Sequence, residues 1–280
     1  MKINSFELNA LVFTLINLFC FGCNQNLMGD LASKTSDDYF YEEATKANNA
    51  QNYDGAIIII TEKMSARYQS YAKAKELLAS AYAGKCGLNF LNYVDSLSKT
   101  TATAPFLFMM TPFVGVSTDV NYCKLAISTM ESIGASAYRT SGQNMFVAIL
   151  GLSLMGTGLR QNADKTPTLG DGTADVNLCT TVTDSQIEDV IIGFGYFTLN
   201  IGFVSASLIG SGSLSALTNL NSVCTTQAGV SCTVTDPSGL SAPTRTALGA
   251  FFRRLLNTSQ YGIGTYDIAG DDTKIALACP

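Results

Sequence analysis

Residues 36–47 read SDDYFYEEATKA, and this stretch decides the fold class. Ser36 is a favoured N-cap residue, and the two aspartates that follow it place negative charge at the helix end that prefers it. Phe40, Ala44 and Ala47 then recur at the spacing that puts side chains on one face of an α-helix. The stretch therefore predicts an amphipathic helix.

The same periodicity predicts two further helices immediately downstream. One begins near Tyr53, and the other stops at Gly84 and Gly87, because glycine favours helix ends. The residues expected to face inward are Ala56, Ile57, Ile60 and Met64 in the first, and Ala74, Leu77, Leu78, Ala81 and Tyr82 in the second.

Two of these segments resemble tetratricopeptide repeats, which are helical hairpins with a period of 34 residues. Residues 52–57, NYDGAI, look like the start of a repeat's second helix. Residues 78–82, LASAY, are similar to the core of a first helix. The resemblance covers about residues 37–100, and it implies a stacked scaffold that binds a protein or peptide partner.

A narrower resemblance lies at residues 81–88, AYAGKCGL. This stretch is similar to helical-repeat lipoproteins of predatory and related bacteria. It is also similar to the T-component lipoproteins associated with TRAP-type solute transporters. The second likeness implies a small-ligand-binding accessory of a periplasmic transport system, which would need an apolar tunnel near residues 80–160.

Beyond residue 100 the chain becomes more apolar but keeps a helical pattern. Residues 105–113 predict a loop or a short helix, and residues 144–159 predict a buried helix. A further helix is expected from its cap, Asp119, to Gly134, with Cys123, Ile127 and Met130 facing inward. The last predicted helix covers residues 244–256, and its inward residues are Leu248, Phe251, Phe252 and Leu255. Residues 161–183 and 210–243 are polar or rich in Ser, Gly and Thr, which predicts loops.

The longest apolar run extends from Val190 to Ile209 and is long enough to span a bilayer. Ser185 and Glu188 predict a capping box at its start. Its polar residues and the lack of basic flanks favour a buried helix over a membrane span. Gly195 and Gly202 are seven residues apart, so they would share a face and permit a close helix contact.

The first residues predict an export signal. Residues 1–22 combine a lysine with a short apolar run, as signal peptides do. A small residue, Gly22, precedes Cys23, which resembles the lipobox of bacterial lipoproteins and makes Cys23 the expected lipid attachment site. The alternatives are an uncleaved anchor or an ordinary secretory peptide. Residues 23–36 would then be a lipidated tether on a membrane, with outer-membrane sorting facing the periplasm.

Composition excludes several function classes. The chain has 280 residues, a net charge of −5 and no histidine. Its 17 Lys and Arg residues are outnumbered by 22 Asp and Glu residues. Such a chain is a poor partner for nucleic acid, because phosphate recognition relies on clustered Lys and Arg. The lack of histidine rules out Ser-His-Asp triads, Cys-His pairs and His-ligated zinc.

Six cysteines follow Cys23, and an even number in an exported chain predicts disulfides. They are Cys86, Cys123, Cys179, Cys224, Cys232 and Cys279. Fifteen pairings exist in principle. The spacing suggests that Cys224 and Cys232 close a small loop, and a bridge at Cys279 would stop the tail fraying. The alternative is a set of buried thiols, which fits Cys86 and Cys123 equally well.

A few polar clusters are candidate ligand sites. Oxygen ligands at Asp171, Asp175 and Asn177 could hold Ca²⁺, but they lack the spacing of an EF-hand loop and are better interpreted as a solvated turn. The same interpretation applies to Asp267, Asp271 and Asp272. Arg253 and Arg254 could grip a carboxylate, yet an exposed helical pair is the better interpretation. We name no catalytic residue, metal or cofactor.

The sequence therefore predicts an all-α protein of antiparallel helical hairpins. Its repeat-like part covers residues 37–100, and a more apolar helical region over 101–280 packs on it. The expected function is that of a non-enzymatic envelope lipoprotein whose helical-repeat surface binds a protein or peptide partner. The alternative is the transporter accessory described above. A structural protein or oligomeric pore built on the Val190–Ile209 run is a third, weaker hypothesis.

Overall fold

The computed structural model describes residues 34–99, 104–204 and 211–280, and these residues form an all-α fold of packed helices. Within these ranges the only β-type pairing is an isolated bridge between Thr258 and Tyr266. The predicted all-α class is therefore confirmed. The predicted signal peptide, the lipid site Cys23 and most of the predicted tether lie outside the described residues.

The N-terminal part consists of five short helices. They are α1 (Asp37–Asn49), α2 (Tyr53–Ile58) continued by a π-helical turn (Ile59–Lys63), α3 (Ala66–Gln69), α4 (Ala72–Cys86) and α5 (Phe90–Lys99). As predicted, Ser36 caps α1, where its hydroxyl accepts a hydrogen bond from the Tyr39 N–H at 3.2 Å. Helix α4 runs through Gly84 and ends before Gly87, whose φ of 106° is a left-handed conformation natural to glycine.

The C-terminal part contains the longer helices. They are α6 (Pro105–Met110), α7 (Val120–Glu131), α8 (Ser141–Ala163), α9 (Asp184–Asn200), α10 (Ser211–Ala228) and α11 (Ala242–Asn257), with 3-10 turns at Thr111–Phe113, Ser136–Tyr138, Ile201–Phe203, Pro237–Gly239 and Asp272–Leu277. The residues predicted to face inward on α7 and α11 are buried. Residues 105–113 form a short helix, which resolves the alternative left open above.

Two hydrophobic clusters stabilise these helices. The larger one surrounds α8, whose residues from Val147 to Leu159 are almost entirely buried. A smaller cluster joins α1 to α4 through Ala44, Ile60, Met64, Tyr68, Ala74 and Leu77. Among the described residues, α8 is the one helix long and apolar enough to cross a membrane, and 78% of its most apolar stretch is buried inside the protein.

The prediction of a loop over residues 210–243 is wrong for the first half of that range, where the structure has helix α10. Leu217, Leu220 and Cys224 form a fully buried stripe on this helix. The hydroxyls of Thr225 and Thr226 donate to carbonyls four residues earlier, which satisfies them within the helix. Burial of the apolar stripe therefore outweighs the loop preference of the many Ser and Thr residues.

The start of α9 also differs from the prediction. Thr183 is the N-cap, and it forms a capping box with Gln186 rather than the predicted pair of Ser185 and Glu188. The helix ends at Asn200 and passes into a 3-10 turn, so the described part of the apolar run is not one continuous helix.

All six cysteines after Cys23 pair as disulfides. Cys86 and Cys123 join α4 to α7, with their Cα atoms 5.1 Å apart. The Cys179–Cys279 bridge ties the C-terminal tail to the loop after α8, and Cys224–Cys232 closes the end of α10. The disulfide prediction is confirmed, and the buried-thiol alternative for Cys86 and Cys123 is excluded.

Candidate functional site

An open groove lies between α4 and the first turns of α8. One end of the groove has a volume of about 410 Å³. This end is mainly apolar, and its hydrophobic lining includes the half-buried Met145 and Phe146 beside the buried Met130 and Ile149. Phe90, at the start of α5, forms the rim and is 39% exposed.

The groove continues toward the turn between α1 and α2. A second hollow of about 230 Å³ shares the lining residues Ser80, Phe90 and Phe146 with the first, so the two hollows adjoin. Four side-chain amides line this second end: Asn48, Asn49, Gln51 and Asn89. The groove therefore has an apolar end and an amide-lined end.

The turn that carries Gln51 fixes the amide-lined end. The Asn52 N–H donates to the Ala47 carbonyl at 2.9 Å, and the Gln51 N–H donates to the Asn48 carbonyl at 3.0 Å. This is the Schellman arrangement that ends many helices, and it requires a left-handed residue. Gln51 fills that position with a φ of 61°, where glycine is the usual residue.

Close packing of α2 on α4 forms the floor next to this turn. The Tyr53 ring lies directly against Gly84, where a Cβ atom would overlap it. Ala56, one turn further along α2, is fully buried. Burial also raises the pKa of the Tyr53 hydroxyl above its ordinary value.

Glu76 is the only charged side chain among the described residues that line the groove. Its carboxylate accepts a hydrogen bond from the Gln143 amide in the first turn of α8. Gln143 in turn accepts from the Thr140 N–H at 2.8 Å as part of the α8 capping box. The carboxylate thus faces the positive end of the α8 dipole, which offsets its charge.

The side chain of Asn48 has one unused hydrogen-bond acceptor. Its amide nitrogen donates to the Ser80 hydroxyl at 3.1 Å, whereas its side-chain oxygen is buried without a hydrogen-bond partner. A buried acceptor without a partner is costly, and such atoms call for an explanation.

The polar clusters singled out in the sequence are occupied by local hydrogen bonds. Asp171 accepts from the Thr173 N–H, Asn177 accepts from the Cys179 N–H, and one Asp175 oxygen accepts from two backbone N–H groups. Near the C-terminus, Asp267 and Asp271 cap turns in the same way, and Asp272 accepts from the Tyr261 hydroxyl at 2.7 Å. Within residues 34–99, 104–204 and 211–280, no group of three or more acidic or cysteine side chains is placed to hold a metal ion.

Arg253 is engaged within the chain rather than free to grip a ligand. It donates to the Val182 carbonyl and pairs with Asp184 at 2.7 Å. Beside it, Arg245 pairs with Glu188, so the hollow that these residues line has matched charges. The structure does not combine Arg253 and Arg254 into a carboxylate clamp.

No protein-family model, curated protein or solved structure matches the chain.

The sequence did not reveal the groove, because its lining comes from six separate helices: α1, α2, α4, α5, α7 and α8. None of these segments carries a motif for binding. The one local signal was Phe90 followed by Leu91, an apolar pair in which Leu91 is 77% exposed.

Proposed function

We propose that this protein is a non-enzymatic bacterial envelope lipoprotein that binds a peptide segment of a protein partner in the groove between α4 and α8. The observation that carries the proposal is the pair of adjoining hollows that make up the groove, one with an apolar lining and one lined by amides. Grooves between helices are common binding places, and apolar lining with a few polar groups is typical of them.

The repeat-like interpretation of residues 37–100 supports this proposal. In tetratricopeptide repeats, Tyr and Ala side chains of one helix interlock with its neighbour. The contact of Tyr53 with Gly84 and the complete burial of Ala56 agree with such packing. We propose that α1 to α5 form a short repeat-like stack and that the C-terminal helices complete its binding surface.

Photo-crosslinking tests the proposal in the native envelope. We would place p-benzoylphenylalanine at Leu91, on the groove rim, and at Leu277, an exposed control position in the C-terminal turn. A discrete adduct with one envelope protein should form from Leu91 but not from Leu277, and Phe90→Asp should abolish it. Equal adducts from both positions, or none from Leu91, would refute a groove-bound partner.

The lipid anchor needs its own test. We expect a palmitate analogue to label the full chain and the label to disappear in Cys23→Ala. Label that persists in Cys23→Ala, or absence of label in the unmodified chain, would refute the lipoprotein assignment and the outer-membrane location that depends on it.

The small-ligand accessory remains the second candidate, because about 410 Å³ of apolar groove is large enough for a small solute. The groove is open rather than a tunnel, which favours a peptide. Native mass spectrometry of protein purified from its source would distinguish the two: a retained small molecule supports the accessory role.

A further inference from the structure

We infer that the groove selects an uncharged peptide segment carrying one bulky apolar side chain. This inference rests on the proposed function and adds the chemistry of the occupant. The apolar side chain would fill the end lined by Met145 and Phe146, and the adjoining peptide backbone would lie along the amides of Asn48, Gln51 and Asn89.

The charge of the lining argues for a neutral occupant. Glu76 already accepts a hydrogen bond from Gln143 and lies beside the α8 N-terminus, which partly offsets its charge. No other described lining residue is charged. An acidic ligand group would lose water here without gaining an opposite charge, which is unfavourable. A basic group could pair only with Glu76 among the described lining residues, and there it would lie at the positive end of the α8 dipole, which disfavours a cation.

The amides argue for a peptide backbone. Each Asn or Gln side chain offers a carbonyl acceptor and an N–H₂ donor, which match the N–H and C=O groups of a peptide. The Asn48 oxygen, buried without a partner, would gain a donor if its side chain turned toward a bound N–H group. An acyl chain would instead desolvate these amides without replacing their hydrogen bonds.

The apolar end of the groove argues for a bulky apolar side chain on the peptide. Met145, which is half-buried, has a flexible, polarizable side chain that adapts to different apolar shapes. Phe146 and the rim residue Phe90 add aromatic surface. A neutral saccharide could pair with the amides, but it would leave this apolar end unfilled.

Selection from a random 12-residue peptide library displayed on phage tests the inference. The purified protein, its Phe90→Asp variant and its Leu277→Asp variant would be used as targets. Both substitutions add one carboxylate at an exposed apolar position, but only Phe90 lines the groove. We expect peptides depleted in Asp, Glu, Lys and Arg, with one recurrent bulky apolar residue, to be enriched on the wild type and on Leu277→Asp but not on Phe90→Asp.

A fluorescence titration measures the affinity of a selected peptide. The chain contains no tryptophan, so Leu91→Trp would supply a single reporter on the rim. A selected peptide should shift its emission saturably, and the added Phe90→Asp substitution should weaken binding at least about tenfold, equivalent to about 1.4 kcal/mol. Laurate and maltoheptaose, tested in parallel, should produce no saturable shift.

The inference is overturned if enriched peptides are charged, if enrichment does not depend on Phe90, if nothing is enriched, or if laurate or maltoheptaose binds in place of peptide. Its failure differs from failure of the proposed function. A crosslinked partner at Leu91 without enrichment of neutral peptides refutes only the chemistry inferred here. Enrichment of neutral peptides without a crosslinked partner refutes the proposed function.

Discussion

Gly151 of α8 and Gly193 of α9 cross with their backbones in direct contact. A Cβ atom on Gly151 would lie 2.6 Å from the Gly193 carbonyl oxygen, and a Cβ atom on Gly193 would lie 2.7 Å from the Gly151 carbonyl oxygen. Both distances are shorter than any stable carbon–oxygen contact. The close approach of the two central helices therefore requires glycine at both positions.

Gly151→Ala should lower the free energy of unfolding by about 1–3 kcal/mol, because the added methyl group meets backbone atoms that cannot rotate away. Urea denaturation followed by circular dichroism measures the change. Gly158→Ala is the matched control in the same helix, since its Cβ would lie 3.8 Å from Val120, an ordinary contact. Alanine is the better helix former, so Gly158→Ala should be neutral or stabilising by up to about 1 kcal/mol. Equal destabilisation by both substitutions would contradict the crossing.

This crossing shows what a single sequence can and cannot predict. Periodicity predicted a helix with glycines on one face, but it paired Gly195 with Gly202. In the structure Gly195 packs against the Val234 backbone, whereas nothing lies within 4 Å of a Cβ at Gly202. Spacing along one helix defines a face but not the neighbour that meets it. The helix caps at Ser36 and Asp119 were predictable because they depend on residues within one turn.

The groove was not predictable for a related reason. Its apolar end joins Met130 of α7 to Met145 and Phe146 of α8, and neither segment differs in pattern from an ordinary core helix. Only the packing of α4 and α5 beside them decides which of these side chains remain half-exposed.

Tyr93→Phe should stabilise the protein by about 1 kcal/mol at pH 8. The Tyr93 ring lies 5.4 Å from that of Phe113, and its hydroxyl is buried without a hydrogen-bond partner. Removing a buried, unsatisfied hydroxyl removes its desolvation cost. The urea midpoint at pH 8 measures the effect. A large loss of stability would show that the hydroxyl has a partner in solution.

The stability difference between Tyr93→Phe and the wild type should depend on pH. Burial raises the pKa of the Tyr93 hydroxyl above its usual value of about 10, so the folded state holds the proton that the unfolded state releases. The free energy of unfolding is therefore unaffected by this proton below about pH 10, the unfolded-state pKa, and it falls as the pH rises further. The advantage of Tyr93→Phe over the wild type should therefore grow between pH 8 and pH 11. A constant difference would contradict this burial.

The disulfides should contribute unequally to stability. Cys179 and Cys279 are 100 residues apart, whereas Cys224 and Cys232 are 8 apart. In the chain-entropy model, loss of the long loop costs about 4.7 kcal/mol and loss of the short one less than about 3 kcal/mol. Paired Cys→Ala substitutions, compared by urea denaturation, should follow this order. The Cys179→Ala, Cys279→Ala variant should also release its tail to limited proteolysis. The reverse order would show that local packing at Cys224 dominates.

Gln51→Gly should stabilise the protein yet weaken binding in the groove. Gln51 has a φ of 61°, a conformation that costs a non-glycine residue about 1–2 kcal/mol, part of which glycine recovers. We expect a gain of up to about 1 kcal/mol, whereas Gln51→Val should destabilise, because β-branched side chains tolerate this conformation worst. Urea midpoints measure both changes.

Ala269→Gly is the control for Gln51→Gly, because Ala269 has a φ of 51° but lies in the exposed C-terminal segment, away from the groove. Both glycine variants should gain stability, and only Gln51→Gly should lose affinity for a groove-binding peptide in the Leu91→Trp titration. Such a difference would show that the strained glutamine is retained for its amide, since functional positions often hold residues that stability alone would not favour. Unchanged peptide affinity in Gln51→Gly would instead show that the amide-lined end of the groove does not contact its occupant.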